Sequence, residues 1–370
     1  MVDQERCARC GFCLSVCPSY AATDLERHAP RGRLFLLREA RAGRLASAQL
    51  AEPLDTCLRC GRCREVCPLD LAVDKAVLDR LERPADPLWR LLPGPGTRLP
   101  GGLVRGAARL TGAIPPGMPP GGARRLLEGV VRRPSGKARW RVGYFPGCVH
   151  EYLLPRAALA TVRVLVAAGA AVEVLPWGCC GLPARSAGHR EVARRLARAN
   201  LASLPSGLDA LITDCASCAA ALLEYPELLP EERHSAGKMV ALVRELSAFL
   251  TEAGALPPTR IGRKVTYHQP CHLEAAWRAS PRQLLDAAAL FREAPGAERC
   301  CGGAGTYFLR QPAISRRILE EKLGGLAAVG AEVVATNCPS CALQLARGVR
   351  RAGLPFAVTS VSEVLAEVYG

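Results

Sequence analysis

Long uncharged runs are missing from this chain of 370 residues. The two longest, Leu110 to Ala123 and Val333 to Ala346, hold 14 residues each, short of the roughly 20 apolar residues that a membrane-spanning helix needs. No transmembrane helix is expected. Aromatic residues are scarce at 5% and do not interleave with the basic ones, so the net charge of +15 does not describe a single-stranded nucleic-acid surface. No nucleic-acid partner is expected. Lysine is nearly absent, 5 residues against 44 arginines, a bias that base composition or a thermostable surface explains without invoking a partner. No Gly-x-Gly-x-x-Gly enters a helix after a strand, which excludes a recognisable nicotinamide or flavin site. No Ser/His/Asp order and no zinc-protease helix stands out. Only Met1 to Arg6 precede the first cysteine, leaving no room for the apolar core of a secretion signal, and a cytoplasmic location is expected.

Cysteine, by contrast, is abundant. Eighteen occur in a chain that is 49% hydrophobic and long enough for two or three separate cores. In a reducing compartment such thiols are metal ligands or redox groups rather than disulfides. All eighteen fall in four clusters. Two of these match each other: CARCGFCLSVCP from Cys7 to Pro18 and CLRCGRCREVCP from Cys57 to Pro68. In the spacing C-x2-C-x2-C-x3-C-P, three cysteines on one tight loop bind one cubane cluster and the fourth reaches the cluster of the other block. Cys7, Cys10, Cys13 and Cys67 therefore form one expected 4Fe-4S site, and Cys57, Cys60, Cys63 and Cys17 the other. Zinc is the competing metal, but its structural sites take paired C-x2-C knuckles and four ligands. Pro18 and Pro68 turn the chain away from the clusters. Between the blocks, Arg33 to Arg44 reads as an amphipathic helix, so residues 1–83 are expected to form a helical ferredoxin domain.

Residues 84–141 contain 10 Pro and 11 Gly, with 11 basic and 2 acidic side chains, and read as a basic linker. A short helix is expected at Leu103 to Leu110, with Trp89 and Trp140 packing on neighbours. Such a charge run fits either a solvated face or contact with an acidic protein or an anionic membrane surface.

The remaining cysteines form a second internal repeat. Cys148, Cys179, Cys180, Cys215 and Cys218 are echoed by Cys271, Cys300, Cys301, Cys338 and Cys341, at offsets of 121 or 123 residues. Each half alternates β-rich and helical segments, and both are expected to be α/β with parallel strands. Strands are expected at Val142 to Phe145, Ala171 to Leu175 and Asp209 to Thr213, then at Lys264 to His268, Glu332 to Thr336 and Phe356 to Val361. Helices are expected at Pro155 to Ala168, Arg190 to Leu204 and Pro312 to Ala328. The boundaries expected are 142–260 and 261–370. Cys148, Cys215, Cys271 and Cys338 each lie just past a strand, where open α/β sheets collect ligands. Adjacent pairs such as Cys179–Cys180 and Cys300–Cys301 suit two metal atoms of a cluster better than one tetrahedral zinc, and five thiolates exceed its usual four. A cluster in each half is expected, with thiol–disulfide chemistry the alternative. Gly302, Gly303 and Gly305 fit close backbone approach to such a cluster. His268, His272 and His150 lie beside ligand positions, either donating to a cluster or satisfying local backbone groups.

These blocks, with CGFCLSVCPSY (Cys10 to Tyr20), PRGRLFLLREA (Pro30 to Ala40) and CCGGAGTYFLRQP (Cys300 to Pro312), resemble the iron–sulfur subunit family of bacterial glycolate oxidase. The resemblance implies a helical ferredoxin-like domain with two 4Fe-4S clusters followed by two cysteine-rich "CCG" modules. It further implies an electron-transfer subunit rather than a free-standing enzyme. Its partner would be an FAD-binding subunit that oxidises a 2-hydroxy acid, glycolate to glyoxylate, with electrons passing to a quinone or other carrier. Peripheral attachment to the inner face of the cytoplasmic membrane is compatible with this. Related subunits serve lactate and glycerol 3-phosphate dehydrogenases. The modules also resemble those of heterodisulfide reductases, in which such cysteines hold catalytic clusters, so that reading stands as the alternative.

Overall fold

The computed structural model describes residues 4–81 and 137–369. The body of the basic linker, with Trp89 and the helix expected at Leu103 to Leu110, lies outside them. No helix among the described residues is long and apolar enough to cross a membrane.

Residues 4–81 contain helices and no strand. The longest helix, Pro30–Arg41, begins three residues before the expected one because proline, with its φ already helical and no N–H to satisfy, occupies its first position. Gly32 is required there: a Cβ would lie 1.9 Å from the Glu26 carbonyl oxygen. The helix buries Leu34 and Leu37 against Leu50, Leu54, Leu71, Val73 and Val77, a small core on whose edge the Cys7, Cys57, Cys63 and Cys67 thiols pack.

Two four-stranded sheets follow, every pairing parallel. The first contains β1 (Trp140–Tyr144), β2 (Ala170–Val174), β3 (Ala210–Thr213) and β4 (Val243–Glu245), in the order β2-β1-β3-β4. The second repeats it with β5 (Lys264–Tyr267), β6 (Leu290–Phe291), β7 (Val333–Thr336) and β8 (Ala357–Ser360), in the order β6-β5-β7-β8. Six strands fall where the alternation of β-rich segments puts them. β4 and β6, of three and two residues, are too short to carry a periodic signal. Trp140 at the linker's end opens β1 and meets Phe249 edge-on, with ring centroids 5.6 Å apart.

One hydrophobic core joins the two sheets. Val142, Tyr144, Val162 and Leu165 from the first half pack with Val265, Tyr267, Leu284, Val361 and Leu365 from the second. Helix Pro155–Ala167 lies on Val361–Tyr369, and Leu246–Glu252 on Ala279–Ala288, so each half covers the other in the same way. Buried polar groups obey the repeat. Tyr144 Oη donates to Asp214 at 3.0 Å, and Tyr267 Oη, 123 residues on, donates to Asn337. At the strand ends, the Ala216 amide donates to the Asn337 carbonyl at 2.8 Å, stitching the halves together.

Glu245 ends β4 in this core, fully buried, and accepts a bond from the Ser247 amide at 2.8 Å. Burial raises its pKa to about 7, with hydrogen bonds from Asn337 and Ser247 pulling the other way. Because the folded-state pKa lies above the unfolded one, the neutral acid is the form folding favours. That contribution is complete below the unfolded carboxylate pKa and is lost as pH rises through about 7. Glu245→Gln is therefore expected to stabilise the protein at pH 8 relative to pH 5.5 by about 2 kcal/mol more than wild type, read from chemical denaturation.

Candidate metal centres

Both short-spaced cysteine loops take the same path. Arg9 and Arg59 have φ of 55° and 56°, and Gly11 and Gly61 follow in the left-handed region with φ of 90° and 71°. These turns curl three amides and three thiols around one point before a short helix at Phe12–Leu14 or Arg62–Glu65. The Cys7, Cys10, Cys13 and Cys67 thiols, with Cys63, line one small cavity walled by Leu34, Leu71 and Val73. Burial drives the Cys63 pKa up, and the neighbouring Cys57, Asp74, Cys17 and Cys13 add to it. An amide-to-sulfur bond, Arg59 N to Cys57 Sγ at 3.4 Å, is the donor type that thiolate ligands of iron accept.

Nine of the ten remaining cysteines line a single cavity between the two halves, and the tenth, Cys179, is buried beside Cys180. Each thiol shifts the proton affinity of the next, in the order Cys148, Cys179, Cys180, Cys218, Cys215, Cys338, Cys341, Cys301, Cys300, Cys271. That order is the same from either end once repeat equivalents are exchanged, and its centre is the Cys215–Cys338 contact. The site therefore has the approximate two-fold symmetry of the fold. It lies beyond the carboxyl ends of β1, β3, β5 and β7, at the points where both strand orders reverse. The two sets of five expected in separate halves face each other across a space of about 80 Å³.

The donor set fits iron–sulfur chemistry. Ten thiolates, eight of them buried, would carry a charge that a low-dielectric site supports only if metal cations neutralise it. Amides already point at sulfur: Gly181 to Cys179, Gly302 to Cys300 and Cys218 to Cys215, at 3.3 to 3.4 Å. Cys180 and Cys301 have pKa values held well below normal, chiefly by hydrogen bonds from Cys179 and Cys300. Gly147, at φ 72°, leaves room for sulfur, since a Cβ there would lie 2.9 Å from Cys218 Sγ. Gly303 brings the backbone close to Cys301, where a Cβ would be 3.5 Å from its sulfur.

The three histidines separate. His268 is fully buried with neither ring nitrogen hydrogen-bonded, and its ligand atom lies within 4.8 Å of the Cys301 and Cys341 sulfurs. Burial, then the Lys322 charge, pushes its pKa far below normal and keeps the ring neutral. His272 bonds Ser217 Oγ at 3.1 Å and the Arg59 carbonyl at 3.1 Å, and Ser217 Oγ lies 3.4 Å from Cys338 Sγ. His150 turns instead to Asp214, 3.0 Å away. Lys322 went unnoticed in the sequence because a lone lysine on a helix reads as solvated. It is buried, donates to the Gly296 and Ala297 carbonyls at 2.8 Å, and burial lowers its pKa to about 8 while nearby thiols oppose this.

The helical segment docks mainly on the second sheet's loops. Tyr307 Oη, fully buried, donates to the Thr56 carbonyl at 2.9 Å, Arg62 donates to the Glu298 carbonyl at 2.8 Å, and Arg310 pairs with Asp55. This seats the loop before Cys60 at the cavity, where Leu58 packs with Cys271 and Cys300, and burial, then Cys271 and Cys300, raises the Cys60 pKa.

Paired cubane-type loops beside a cavity lined by nine cysteines define an iron–sulfur protein. A model of the 4Fe-4S dicluster domain matches residues 3–71, and one of the cysteine-rich CCG domain matches residues 142–223 and 265–346. The probable glycolate oxidase iron-sulfur subunit of Bacillus subtilis is 29% identical, over 98% of this chain and 94% of its own length. The glycolate oxidase iron-sulfur subunit of Escherichia coli is 28% identical, over 93% and 90%. Lactate utilization protein A of Shouchella clausii is 32% identical, over 60% of this chain and 98% of its own. The chain belongs to the family of glycolate oxidase iron–sulfur subunits.

Gly147→Ala tests the sulfur cradle. The positive φ alone costs about 1 kcal/mol, as Gly43→Ala (φ 73°, no neighbour within 4 Å) should report. Displacement of Cys218 should bring the Gly147 variant to about 3 kcal/mol in anaerobic denaturation. Equal losses at the two positions would remove the close contact.

Proposed function

We propose that this chain is the electron-transfer subunit of a flavin-dependent 2-hydroxy-acid dehydrogenase, with glycolate oxidised to glyoxylate on an FAD-binding partner and electrons passed on to a quinone or other carrier. The observation that carries the reading is the continuity of thiols. Cys7, Cys10, Cys13 and Cys67 would hold one cubane, and Cys57, Cys60, Cys63 and Cys17 a second. The Cys57–Cys60 loop then borders the CCG cavity, where Leu58 packs with Cys271 and Cys300. A bound cubane takes up and releases one electron at a potential that its surroundings set. The protein's own part is to hold the thiols, exclude water with Leu34, Leu58, Leu71 and Val73, and keep the seats in contact. Further iron–sulfur clusters on the ten CCG cysteines extend the path. The substrate is chosen by the flavoprotein, so lactate or glycerol 3-phosphate are the related alternatives, and the basic linker suits attachment to a partner or to the inner membrane face.

A second reading, favoured by the gathering of the CCG cysteines at one cavity, is a heterodisulfide-reductase-like subunit whose CCG clusters act on a disulfide. One experiment separates them: iron and acid-labile sulfide on anaerobic protein copurified with its flavoprotein, with electron paramagnetic resonance before and after glycolate. The proposal expects about twelve to sixteen irons, falling toward about eight when Cys300 and Cys301 become serine, and cluster reduction by glycolate. Eight irons in the wild type would leave the CCG modules a docking role. Disulfide reduction without the flavoprotein, lost in the Cys300→Ser, Cys301→Ser variant, would establish the second reading instead.

A further inference from the structure

We infer that Arg33 is the positioning residue that sets the potential of the cluster held by Cys17, Cys57, Cys60 and Cys63. The inference rests on that ligand assignment. Arg33 is 1% exposed, a rare place for a guanidinium without an anion. Its Nε donates to the Pro53 carbonyl at 2.7 Å, and its Nη2 to Ser19 Oγ at 2.9 Å and Thr56 Oγ1 at 3.0 Å. None of these partners is a carboxylate, and among the described residues no ion pair neutralises it.

The partners flank the ligands. Ser19 Oγ lies 3.3 Å from Cys17 Sγ, and Thr56 immediately precedes Cys57. A buried positive charge separated from a ligand sulfur only by the Ser19 hydroxyl favours the more negative, reduced state of a cluster, and in a dry site the effect is weakly screened. The whole PRGR segment serves this placement. Gly32 allows its helix to meet the Glu26 carbonyl, and Arg31, one turn face away, lies at the other seat, where it lines the Cys7, Cys10 and Cys13 cavity. Arg31 is itself paired with Glu26 at 2.6 Å and is partly exposed, so it brings little net charge. The motif therefore delivers an uncompensated charge to one seat only. That is the seat whose Leu58 packs with Cys271 and Cys300, and the electron is held at the end of the pair nearest the CCG cavity.

The test is a redox titration of the full chain followed by electron paramagnetic resonance, for wild type, Arg33→Met, Arg33→Lys and Arg31→Gln, each with its iron count. Arg33→Met should shift the reduction equilibrium of one cubane tenfold or more toward the oxidised state, about 59 mV for one electron, and leave the other in place. Arg33→Lys should restore most of the shift, and Arg31→Gln should cause little at either cluster. Should Arg33→Met lose iron, Ser19→Ala keeps the charge but cuts the bridge to Cys17, and should shift the same single cubane in the same direction by less. Equal shifts of both cubanes, or lysine behaving like methionine, or no shift in Ser19→Ala where that variant carries the test, would overturn the role of Arg33. Irons absent from the wild type would instead defeat the ligand assignment.

Discussion

The structure turns on the hydrophobic core shared by the two α/β repeats. Neither sheet of four short strands covers its own inner face. The Pro155–Ala167 helix of one repeat rests on Val361–Tyr369 of the other, and Leu246–Glu252 on Ala279–Ala288. Burying those faces against each other aligns the carboxyl ends of β3 and β7, where the Ala216 amide meets the Asn337 carbonyl. Cys215 and Cys338 follow directly, and their contact becomes the centre of the thiol chain. The site is thus a consequence of how two apolar surfaces are satisfied, and its two-fold character is inherited from the repeat.

Much of this could be read beforehand, for physical reasons that differ by element. Pairs such as Val142 to Tyr144 and Val333 to Thr336 announce strands because they are buried on both faces and β-rich. The ligand loops announce themselves because three metal atoms of a cluster demand thiols at fixed spacing. What stayed hidden is relational. The pattern gives two sets of five cysteines, but not that they face one another, since that depends on helix-to-helix contacts between residues some 200 positions apart, such as Ser362 Oγ with the Ala157 carbonyl. His268 and His272 looked alike from their places beside Cys271. One has no partner and the other is tied to Ser217 and Arg59.

The docking of the helical segment breaks the symmetry of the repeats. Its clamps, Tyr307 on Thr56 and Arg310 on Asp55, come from the CCGGAGTYFLRQP segment, of which the first repeat keeps only the opening CCG. Lys75 with Glu227 is the lesser tie to the first half, an exposed pair of modest worth. The second repeat consequently holds both the contact with Leu58 and the buried Lys322, whereas Asn200 occupies the corresponding helix of the first, bonded to the Cys179 carbonyl. Equivalent thiols thereby meet different electrostatic surroundings, which gives a path through them two unlike ends.

The most direct test of this account is magnetic. Microwave power saturation of the reduced cubane signals should be compared between wild type and a Cys271→Ser, Cys300→Ser variant. The place of Leu58 and Arg59 in the wall of the CCG cavity predicts that one cubane relaxes faster than the other in the wild type and slows in the variant, while its partner is unchanged. Identical saturation of both signals in both proteins would contradict it.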